Sequence, residues 1–444
     1  MKRRYFGTDG VRGRVGKDPM TVEFALRLAS AVARVLAPAG GRVMIGKDTR
    51  ISSYMFESAL EAGFMAAGMD VALLGPLPTP GIAYMTQALE ADLGVVISAS
   101  HNPYFDNGIK FFDRHGGKLS DSVELAIEAL LGEQVITRES SHLGRARRLE
   151  SALEQYQRFC MATLPEGLQL DGLKIVVDCA HGAGYKVAPR TLAGLGAEIV
   201  PIGCSPNGRN INEGCGSTHP ELLGVLVKGI GADLGIAFDG DGDRVVMVDH
   251  LGEVVDGDQI LYILAADRCR QGLLEGPVVG TQMSNLGLEL ALSGLGAGFR
   301  RAKVGDRYVL ELLRETGGQL GGESSGHILC LDKTTTGDGL ITALQVLGVM
   351  KASGRSLAEL AGGMQRFPQV LINVRLARRL DIAASSRVRA AVEEAEGVLG
   401  RQGRVLLRPS GTEPVMRVMV EGEDAAEVQR LATRIAGVVA EEAT

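Results

Sequence analysis

The sequence predicts an α/β protein with three related αβα domains, whose sheets are mixed but mostly parallel, and a smaller C-terminal α+β domain, arranged around a central cleft. Three observations support this prediction. One tetrapeptide pattern occurs twice, β-rich and helical segments alternate around it, and the pattern changes after Phe367-Pro368. At 444 residues the chain exceeds the usual size of one domain, since domains average roughly 150 residues. We therefore expect a multidomain globular protein.

The repeated tetrapeptide lies just before two polar loops. Ala91-Asp92-Leu93-Gly94 leads into a loop that contains Ser100, and Ala232-Asp233-Leu234-Gly235 leads into Asp239-Gly240-Asp241-Gly242-Asp243. Upstream of each lies the same order of a β-rich run, an Ala/Leu-rich helical stretch, a glycine and a second β-rich run. Each unit is therefore predicted to alternate helices and strands around a mostly parallel sheet.

A third copy is predicted from Pro277-Val278-Val279-Gly280 to the loop Gly322-Glu323-Ser324-Ser325-Gly326-His327, although the leading tetrapeptide is absent there. If the three copies are equivalent, the ends of corresponding strands carry Ser100, the three aspartates and Glu323. Open α/β sheets bind ligands at this edge. We therefore expect the three domains to face one cleft.

After Phe367-Pro368 the segments become shorter. Strands are predicted over 370–376, 404–407 and 416–420, and helices over 385–399 and 425–442. The loop Arg408-Pro409-Ser410-Gly411-Thr412-Glu413-Pro414 between the last two strands is polar and rich in turn-forming residues. The predicted domains are 1–155, 156–255, 256–366 and 367–444.

The composition excludes several classes of protein. The net charge of −6 argues against nonspecific nucleic-acid binding. The six cysteines are widely spaced and form no C-x-x-C pair, so buried reduced thiols are expected rather than a zinc site. Neither a secretory signal nor a bilayer-spanning run is recognisable, and a cytoplasmic location is the expectation.

Ser100 is the candidate nucleophile, because its hydroxyl lies where an apolar strand runs into a turn. Gly94 and Ala99 do not form the G-x-S-x-G motif of α/β-hydrolases around it. A phosphorylated Ser100 fits better, since the added charge could complete a magnesium site begun by the aspartates. The alternative is an ordinary turn capped by serine and asparagine.

The aspartate loop is the candidate metal site. A calcium-binding EF-hand is the competing interpretation, but its sixth position needs glycine and here is Arg244, while its twelfth needs glutamate and here is His250. Magnesium is favoured, because it usually binds through few carboxylates together with phosphate oxygens. A solvated acidic turn remains the alternative.

The remaining candidates are individually weaker. The loop from Arg408 to Thr412 offers a guanidinium group and two hydroxyls suited to a phosphate dianion. Glu323, Ser325 and His327 can hydrogen-bond sugar hydroxyls. A single Arg or Lys in a loop more often lies on the surface than in a site. Taken alone, each of these residues is open to that interpretation: Arg12, Lys47, Arg50, Lys110, Lys303 and Arg307.

Together these loops resemble those of the α-D-phosphohexomutase superfamily, and the resemblance covers essentially the full chain. The segments that carry it are Phe6-Gly7-Thr8-Asp9-Gly10-Val11-Arg12-Gly13, Ser98-Ala99-Ser100-His101-Asn102-Pro103 with Asp106-Asn107-Gly108-Ile109-Lys110, Asp239-Gly240-Asp241-Gly242-Asp243-Arg244, Gly322-Glu323-Ser324-Ser325-Gly326-His327 and Arg408-Pro409-Ser410-Gly411-Thr412-Glu413-Pro414. This order of loops is highly specific.

The resemblance implies an enzyme that interconverts glucosamine 6-phosphate and glucosamine 1-phosphate, for UDP-N-acetylglucosamine and cell-wall synthesis. A phosphoserine at Ser100 is expected to donate to one end of the sugar. The bisphosphorylated intermediate, a hexose 1,6-bisphosphate that also serves as activator, then reorients and returns a phosphoryl group from its other end. The expected partner is thus a small sugar phosphate, not a nucleic acid or a membrane. A homodimer is a hypothesis for the assembly.

The resemblance also implies roles for individual residues. One Mg²⁺ per subunit is expected on the metal ligands Ser100, Asp239, Asp241 and Asp243. The expected substrate-binding residues are Arg244, Glu323, Ser325, Arg408, Ser410, Gly411 and Thr412. The expected catalytic residues, for charge stabilisation or proton transfer besides the nucleophile, are Ser100, Arg12, Lys110, His101 and His327.

Three other functions stay open. A phosphomannomutase or phosphoglucomutase would recognise the hydroxyls that these hexoses share. A serine phosphohydrolase would use the same nucleophile and metal but release inorganic phosphate. A noncatalytic sugar-phosphate sensor is disfavoured, because it needs neither Ser100 nor a metal loop.

Overall fold

The structure, a computed structural model, describes residues 3–376, 385–409 and 415–443. Its first unit contains β1 (Val11–Arg14), α1 (Val22–Leu36), β2 (Gly41–Lys47), α2 (Ile51–Ala66), β3 (Met69–Pro76), α3 (Thr79–Ala88), β4 (Leu93–Ile97), β5 (Asp106–Asp113), α4 (Asp121–Leu130) and β6 (Ala146–Arg148). The second contains α5 (Ala152–Ala162), β7 (Lys174–Asp178), α6 (Val187–Gly194), β8 (Glu198–Ile202), α7 (Glu221–Ile230), β9 (Leu234–Phe238), β10 (Val245–Asp249) and β11 (Val254–Val255).

The third unit contains α8 (Gly257–Gln271), β12 (Val278–Thr281), α9 (Leu286–Gly294), β13 (Phe299–Ala302), α10 (Asp306–Thr316), β14 (Leu320–Gly322), β15 (Ile328–Cys330), α11 (Gly339–Ser353) and α12 (Leu357–Ala361). The fourth contains β16 (Gln369–Arg375), α13 (Ser386–Leu399), β17 (Gly403–Pro409), β18 (Val415–Gly422) and α14 (Ala425–Ala443). In the residues that the structure describes, no helix is both long and apolar enough to cross a membrane.

The first three sheets repeat one strand order. It is β5-β4-β2-β3 in the first unit, β10-β9-β7-β8 in the second and β15-β14-β12-β13 in the third, with β1, β6 and β11 added at the edges. In each unit the strand that comes last in the sequence (β5, β10 or β15) runs antiparallel to its neighbour. The other pairs of the four strands are parallel. The prediction of three related, mostly parallel sheets is confirmed, including the third copy without the tetrapeptide.

The equivalent strands β4, β9 and β14 carry the predicted site loops. All three are buried along their whole length. Strands covered on both faces are expected to be continuous apolar runs, and the sequences of β4 and β9, LGVVI and LGIAF, are of this kind. Each strand therefore ends at one fixed place, where the chain turns back into an antiparallel partner through a polar loop.

The fourth unit has a different architecture. Its sheet has the antiparallel order β16-β18-β17, and its core is separate, with Val388, Val418 and Leu431 among the buried residues. The first three units instead share a continuous apolar core, to which Met44, Ile236 and Leu344 contribute. The predicted small α+β domain is confirmed.

A polar cluster joins the fourth unit to the third. Arg404, near the start of β17, donates to the carbonyl oxygens of Gln282 at 2.8 Å and Ser284 at 2.6 Å. Its Nε also donates to Glu421 at 2.7 Å. The same Glu421 oxygen accepts from the backbone N–H of Leu286 at 2.7 Å, at the first turn of α9. This cluster fixes one end of the β17–β18 hairpin, and Arg408 and Pro409, with which the predicted phosphate loop begins, lie at the other end.

Candidate active site

Ser100 lies in the turn that follows β4. Its φ of +51° is uncommon for a residue other than glycine, and its side chain is almost completely buried. The backbone N–H of Ser100 donates to the hydroxyl of Ser98 at 2.9 Å. Its own hydroxyl donates to Oδ2 of Asp239 at 2.5 Å. The loops of the first two units thus meet at the candidate nucleophile.

Side chains from two units hold the carbonyl oxygen of Ser100. Arg50 donates to it at 3.1 Å and Asn212 at 2.9 Å, and Arg50 also pairs with Asp48. The interpretation of single basic residues as surface residues is therefore wrong for Arg50. It is also wrong for Lys47, which pairs with the buried Glu57.

The surface interpretation covers four other basic residues when each is taken alone, although the resemblance implies catalytic roles for two of them, Arg12 and Lys110. Arg307 is buried, because its guanidinium bridges to the carbonyl oxygen of Leu119 at 2.5 Å. Arg12 and Lys110 are also drawn inward, into the ion-pair network described below. Lys303 is exposed, as the interpretation expects. A single basic residue in a polar loop therefore says little about burial, since its acidic partners come from distant segments.

The aspartate loop follows β9 and is buried. Asp239, Asp241 and Asp243 place one carboxylate oxygen each within 4.8 Å of one another. Gly240 is required at this point, because a Cβ there would lie 2.7 Å from the carbonyl oxygen of Ser100. The loop can pack this tightly on Ser100 only without a side chain between the aspartates.

The electrostatics of the loop fit a divalent cation. Burial and the charges of Asp243 and Asp241 raise the pKa of Asp239 well above its usual range. Buried oxygens of Asp241 and Asp243 have no hydrogen-bond partner among the described residues. Unpaired buried carboxylate oxygens are costly, and a hard cation satisfies them with the oxygen ligands that it prefers. The donor set is therefore suited to Mg²⁺ or a similar ion.

Lys110 lies between two acidic groups in the centre of the site. Its Nζ is 2.8 Å from Oδ2 of Asp241 and 2.8 Å from Oδ2 of Asp9. Burial alone would lower the pKa of Lys110, but Asp241 and Asp9 outweigh it and raise the pKa. Arg12 also pairs with Asp9. Both cations are thus held in one ion-pair network with the aspartate loop, where they can oppose the charge of an anionic ligand.

Two histidines flank the site from different units. His101 Nδ1 lies 3.5 Å from the Ser100 hydroxyl, and burial together with the charges of Arg244 and Arg12 lowers the pKa of His101 to about 4. His327 lies 3.7 Å from Asp243. Burial disfavours its charged form, but the nearby carboxylates prevail and raise the pKa of His327 to about 9. The two imidazoles therefore have opposite charge preferences at neutral pH.

Sequence reasoning missed three residues of this network. Lys118 pairs with Asp9 at 2.7 Å and also with Asp306, which lies 3.5 Å from His327. Asp9 belongs to the Phe6–Gly13 segment that supports the resemblance, so its importance could have been suspected. Lys118 and Asp306 lie in stretches without a recognisable motif. Only the fold brings them to the site.

The loop after β14 supplies Glu323 and Ser325. Glu323 Oε1 accepts from the backbone N–H of Gly305 at 3.0 Å, and its Oε2 lies 3.5 Å from the Ser325 hydroxyl. Glu323 faces the cavity that contains Ser100, whereas Ser325 faces a second cavity. The loop therefore separates two parts of one cleft.

The cleft consists of two adjoining cavities. The first, of about 420 Å³, is lined by Ser100, Arg12, Asp243, Glu323 and His327 among others. The second, of about 710 Å³, lies against the junction with the fourth unit and includes Arg366 and Phe367. Arg244 lines both cavities. Its pKa is raised, because Asp243 and Asp239 prevail over burial.

The predicted phosphate loop is described only in part. Ser410, Gly411 and Thr412 lie outside the described residues, and Arg408 is not among the residues that line either cavity. Arg408 on β17 stands directly opposite Arg417 on β18. Burial and the charge of Arg417 lower the pKa of Arg408. Two guanidinium groups on one face of the hairpin favour the binding of an anion beside them. Arg417 carries no recognisable motif and was not among the candidates predicted from the sequence.

Family models cover almost the whole chain. Four descriptions match in chain order: Phosphoglucomutase/phosphomannomutase alpha/beta/alpha domain I over residues 3–135, domain II over 154–252, domain III over 256–367, and the C-terminal domain over 371–438. A phosphoglucosamine mutase of Thioalkalivibrio sulfidiphilus is 59% identical over 443 residues, with 99% of this chain and 98% of that protein covered.

Solved structures share the fold. A putative phosphomannomutase from Thermus thermophilus matches with a TM-score of 0.79 and 27% identity, covering 98% of this chain and 99% of that one. An N-acetylphosphoglucosamine mutase of Aspergillus fumigatus, in complex with GlcNAc-6P and magnesium, matches with a TM-score of 0.71 and 17% identity, covering 100% and 96%. The second likeness shows the fold alone.

Proposed function

The chain belongs to the phosphoglucomutase/phosphomannomutase family, and we propose that it catalyses the phosphoglucosamine mutase reaction, the interconversion of glucosamine 6-phosphate and glucosamine 1-phosphate. It is a phosphohexomutase, an isomerase that moves a phosphoryl group between two positions of one sugar. The observation that carries the proposal is the hydrogen bond from Ser100 to Asp239. This contact between the candidate nucleophile and the candidate metal loop supports the proposal, as does the 59% identity of the chain to a phosphoglucosamine mutase.

Ser100 is the proposed carrier of the phosphoryl group. In the first half-reaction, the phosphoryl group leaves Ser100 Oγ for the free C1 hydroxyl of glucosamine 6-phosphate, and the proton of that hydroxyl passes to Ser100 Oγ. After the hexose 1,6-bisphosphate reorients, the bond between phosphorus and the C6 oxygen breaks, the phosphoryl group returns to Ser100 Oγ, and the serine proton passes to the C6 oxygen. Ser100 is almost fully buried but lines the first cavity, so exclusion of water when the sugar phosphate fills that cavity is proposed to limit hydrolysis of the phosphoserine.

Mg²⁺ is the proposed cation, and Asp239, Asp241, Asp243 and the phosphorylated Ser100 are its proposed ligands. The fit rests on the unpaired buried oxygens of the aspartates. Bound there, the ion supplies positive charge against the oxygens of the transferring phosphoryl group. The Aspergillus fumigatus relative that is described in complex with magnesium supports this choice.

Basic side chains are proposed to stabilise the transferring phosphoryl group from the sides that the metal ion does not occupy. Lys110 and Arg12 approach Ser100 from the first unit, and His327 from the third. Phosphoryl transfer depends on positioning and charge neutralisation more than on covalent chemistry. A network that holds these cations in place before the substrate arrives supplies both. His101 lies 3.5 Å from the serine hydroxyl and Asp239 lies 2.5 Å from it, so these two groups are the candidates for exchanging a proton with Ser100.

The two cavities are proposed to bind the sugar and its nonreacting phosphate. Glu323 and Ser325, at the boundary between the cavities, are suited to hold ring hydroxyls in either orientation of the hexose 1,6-bisphosphate. Arg244 reaches both cavities, so it can meet a phosphate in either one. The loop from Arg408 to Thr412 is proposed to hold the distal phosphate after the fourth domain closes over the cleft.

Closure of the fourth domain is proposed because the domain has a hydrophobic core of its own. We take residues 367–444 as a domain that moves relative to 1–155, 156–255 and 256–366. Small-angle scattering with and without glucose 1,6-bisphosphate tests this proposal, and identical profiles would count against it. The same sample, measured by light scattering, tests the proposed homodimer.

A coupled assay tests the reaction itself. The purified protein, activated with glucose 1,6-bisphosphate and Mg²⁺, is offered glucosamine 6-phosphate, glucose 6-phosphate and mannose 6-phosphate in parallel. We expect the highest kcat/KM with the glucosamine phosphate. A preference for glucose or mannose phosphate would assign the chain to the phosphoglucomutase or phosphomannomutase activity instead. Steady release of inorganic phosphate would indicate a serine phosphohydrolase.

A further inference from the structure

The second cavity holds a carboxylate that the proposed reaction does not use. Asp256 begins α8 and lines this cavity together with Arg244 and Ser325. Its Oδ1 accepts from the backbone N–H groups of Asp258 and Gln259, both at 3.1 Å. This oxygen caps the helix. The other oxygen, Oδ2, takes no part in the cap.

Asp256 is held directly against the sugar-binding loop. The next residue, Gly257, donates its backbone N–H to the carbonyl oxygen of Ser324 at 3.0 Å. A Cβ on Gly257 would lie 2.1 Å from the carbonyl oxygen of Glu323, so only glycine permits this approach. The carboxylate of Asp256 is thus fixed beside the loop that is proposed to hold the ring hydroxyls.

Two other carboxylates of the cleft, Asp9 and Asp306, are already neutralised by cations. Asp9 is paired with Arg12, Lys110 and Lys118. Asp306 is paired with Lys118 and lies beside His327. Neither can offer a free negative charge to a ligand.

The remaining carboxylates differ in kind. Asp243 belongs to the metal loop, and Glu323 accepts hydrogen bonds from Gly305 and Ser325. Asp258 is buried, and burial together with the charge of Asp256 raises the pKa of Asp258 to about 7. Among the carboxylates that line the two cavities, Asp256 differs in pairing through Oδ2 with an exposed cation: Arg366 lies 3.3 Å away, and its side chain is 58% exposed.

We propose that Asp256 binds the C2 ammonium group of the amino sugar and thereby sets the preference of the cleft for glucosamine phosphates over glucose phosphates. The inference rests on the proposed function. The two sugars differ only at C2, where glucosamine carries an ammonium group and glucose a hydroxyl. C2 adjoins the ring hydroxyls that the Glu323–Ser325 loop is proposed to hold. A charge-assisted hydrogen bond from an ammonium group is stronger than one from a neutral hydroxyl, so Asp256 favours the amino sugar.

Binding measurements on an inactive background test this role. The parent is Ser100→Ala, which cannot turn over ligand, and the variant is Ser100→Ala with Asp256→Asn. Asparagine caps a helix about as well as aspartate, so the substitution removes the charge and keeps the cap. Calorimetry with Mg²⁺ gives Kd for glucosamine 6-phosphate and for glucose 6-phosphate. We expect the ratio of the two affinities to fall about 10-fold or more, through weaker binding of glucosamine 6-phosphate alone.

Two results would overturn the inference. Equal loss of affinity for both sugars, or no loss, would limit Asp256 to a structural role. Arg366→Gln on the same background is the second variant, and it should leave the affinity ratio undiminished. If it lowers the ratio as Asp256→Asn does, Asp256 acts only through Arg366. Wild-type turnover distinguishes failure of this inference from failure of the proposed function. A wild-type enzyme with no preference for glucosamine 6-phosphate would contradict the proposed function, whatever the effect of Asp256→Asn.

Discussion

The hydroxyl of Ser100 lies 2.5 Å from the carboxylate of Asp239, although the two residues are 139 positions apart in the chain. They lie at the ends of the equivalent strands β4 and β9. The repeated topology therefore does more than stack similar domains, because it directs the polar loop after each equivalent strand into the same cleft.

Replacement of Ser100 by alanine should remove the phosphoryl carrier. We expect kcat to fall by at least about 10³-fold, since no other group can take over a covalent relay. Mass spectrometry should also show loss of the phosphorylated species. Ser58→Ala, on an exposed face of α2, is the matched control and should keep normal turnover. Substantial activity of Ser100→Ala would overturn the assigned nucleophile.

Asp241→Asn should weaken the dependence on Mg²⁺. The substitution removes one of the three charges that converge on the site, and the Mg²⁺ concentration for half-maximal activity should rise about 10-fold or more. Titration of activity with MgCl₂ measures this shift. Glu213→Gln removes an exposed carboxylate of the same domain and should leave the titration unchanged. An unaltered midpoint for Asp241→Asn would place the metal elsewhere.

Arg417→Met should impair phosphate binding without harming the fold. Arg417 stands opposite Arg408 across the hairpin, and like charges in this arrangement destabilise a sheet unless an anion lies between them. We expect KM for glucosamine 6-phosphate to rise about 10-fold, with an unchanged or slightly higher melting temperature. The control is Arg430→Met on the surface of α14. An unchanged KM would exclude Arg417 from the phosphate site.

Arg404→Met should loosen the attachment of the fourth domain. It leaves the fully buried Glu421 without its ionic partner, and breaking a buried pair in this way costs about 3–5 kcal/mol. Urea unfolding followed by circular dichroism should show the loss. Adding Glu421→Gln should recover part of it, because the uncompensated charge is removed. By comparison, Arg434→Met, at an exposed pair with Glu394, should cost about 1 kcal/mol or less.

Asp258 should make stability depend on pH. Burial raises its folded-state pKa to about 7, whereas the unfolded value is about 3.9. A raised carboxyl pKa means that the folded state binds the proton more tightly, so the contribution to stability is lost as pH rises between these two values. The stability of Asp258→Asn relative to the wild type should therefore increase as pH rises, and most of this increase should be present by pH 8.

Thermal melts of both proteins between pH 4 and pH 8 measure this difference. Other titrating groups are common to the two proteins and cancel when their melting temperatures are subtracted. The asparagine can still accept the hydrogen bond from the backbone N–H of Asn285, which Asp258 accepts at 2.8 Å. A difference that stays constant across the range would contradict the raised pKa.

The sequence by itself determined the units and their order. Buried strands must be continuous apolar runs, so LGVVI and LGIAF were recognisable as β4 and β9. Ser100 and the aspartate loop stand out as candidates in the sequence, because nucleophilic and metal-binding groups need particular residue types at short spacing, and the clustering of the three aspartates is observed. The resemblance of these loops to one family gave the reaction, and the family is confirmed.

Only the tertiary structure decided which distant residues meet. Arg50 and Lys47 carry no local sign of burial, yet both are enclosed because acidic partners and backbone carbonyls reach them through the fold. Lys118 and Asp306 are joined across 188 positions, and Asp256 lines the cleft only because Gly257 packs against the Glu323 loop. Periodicity and local spacing describe segments of a few residues, whereas these contacts depend on how whole sheets are placed.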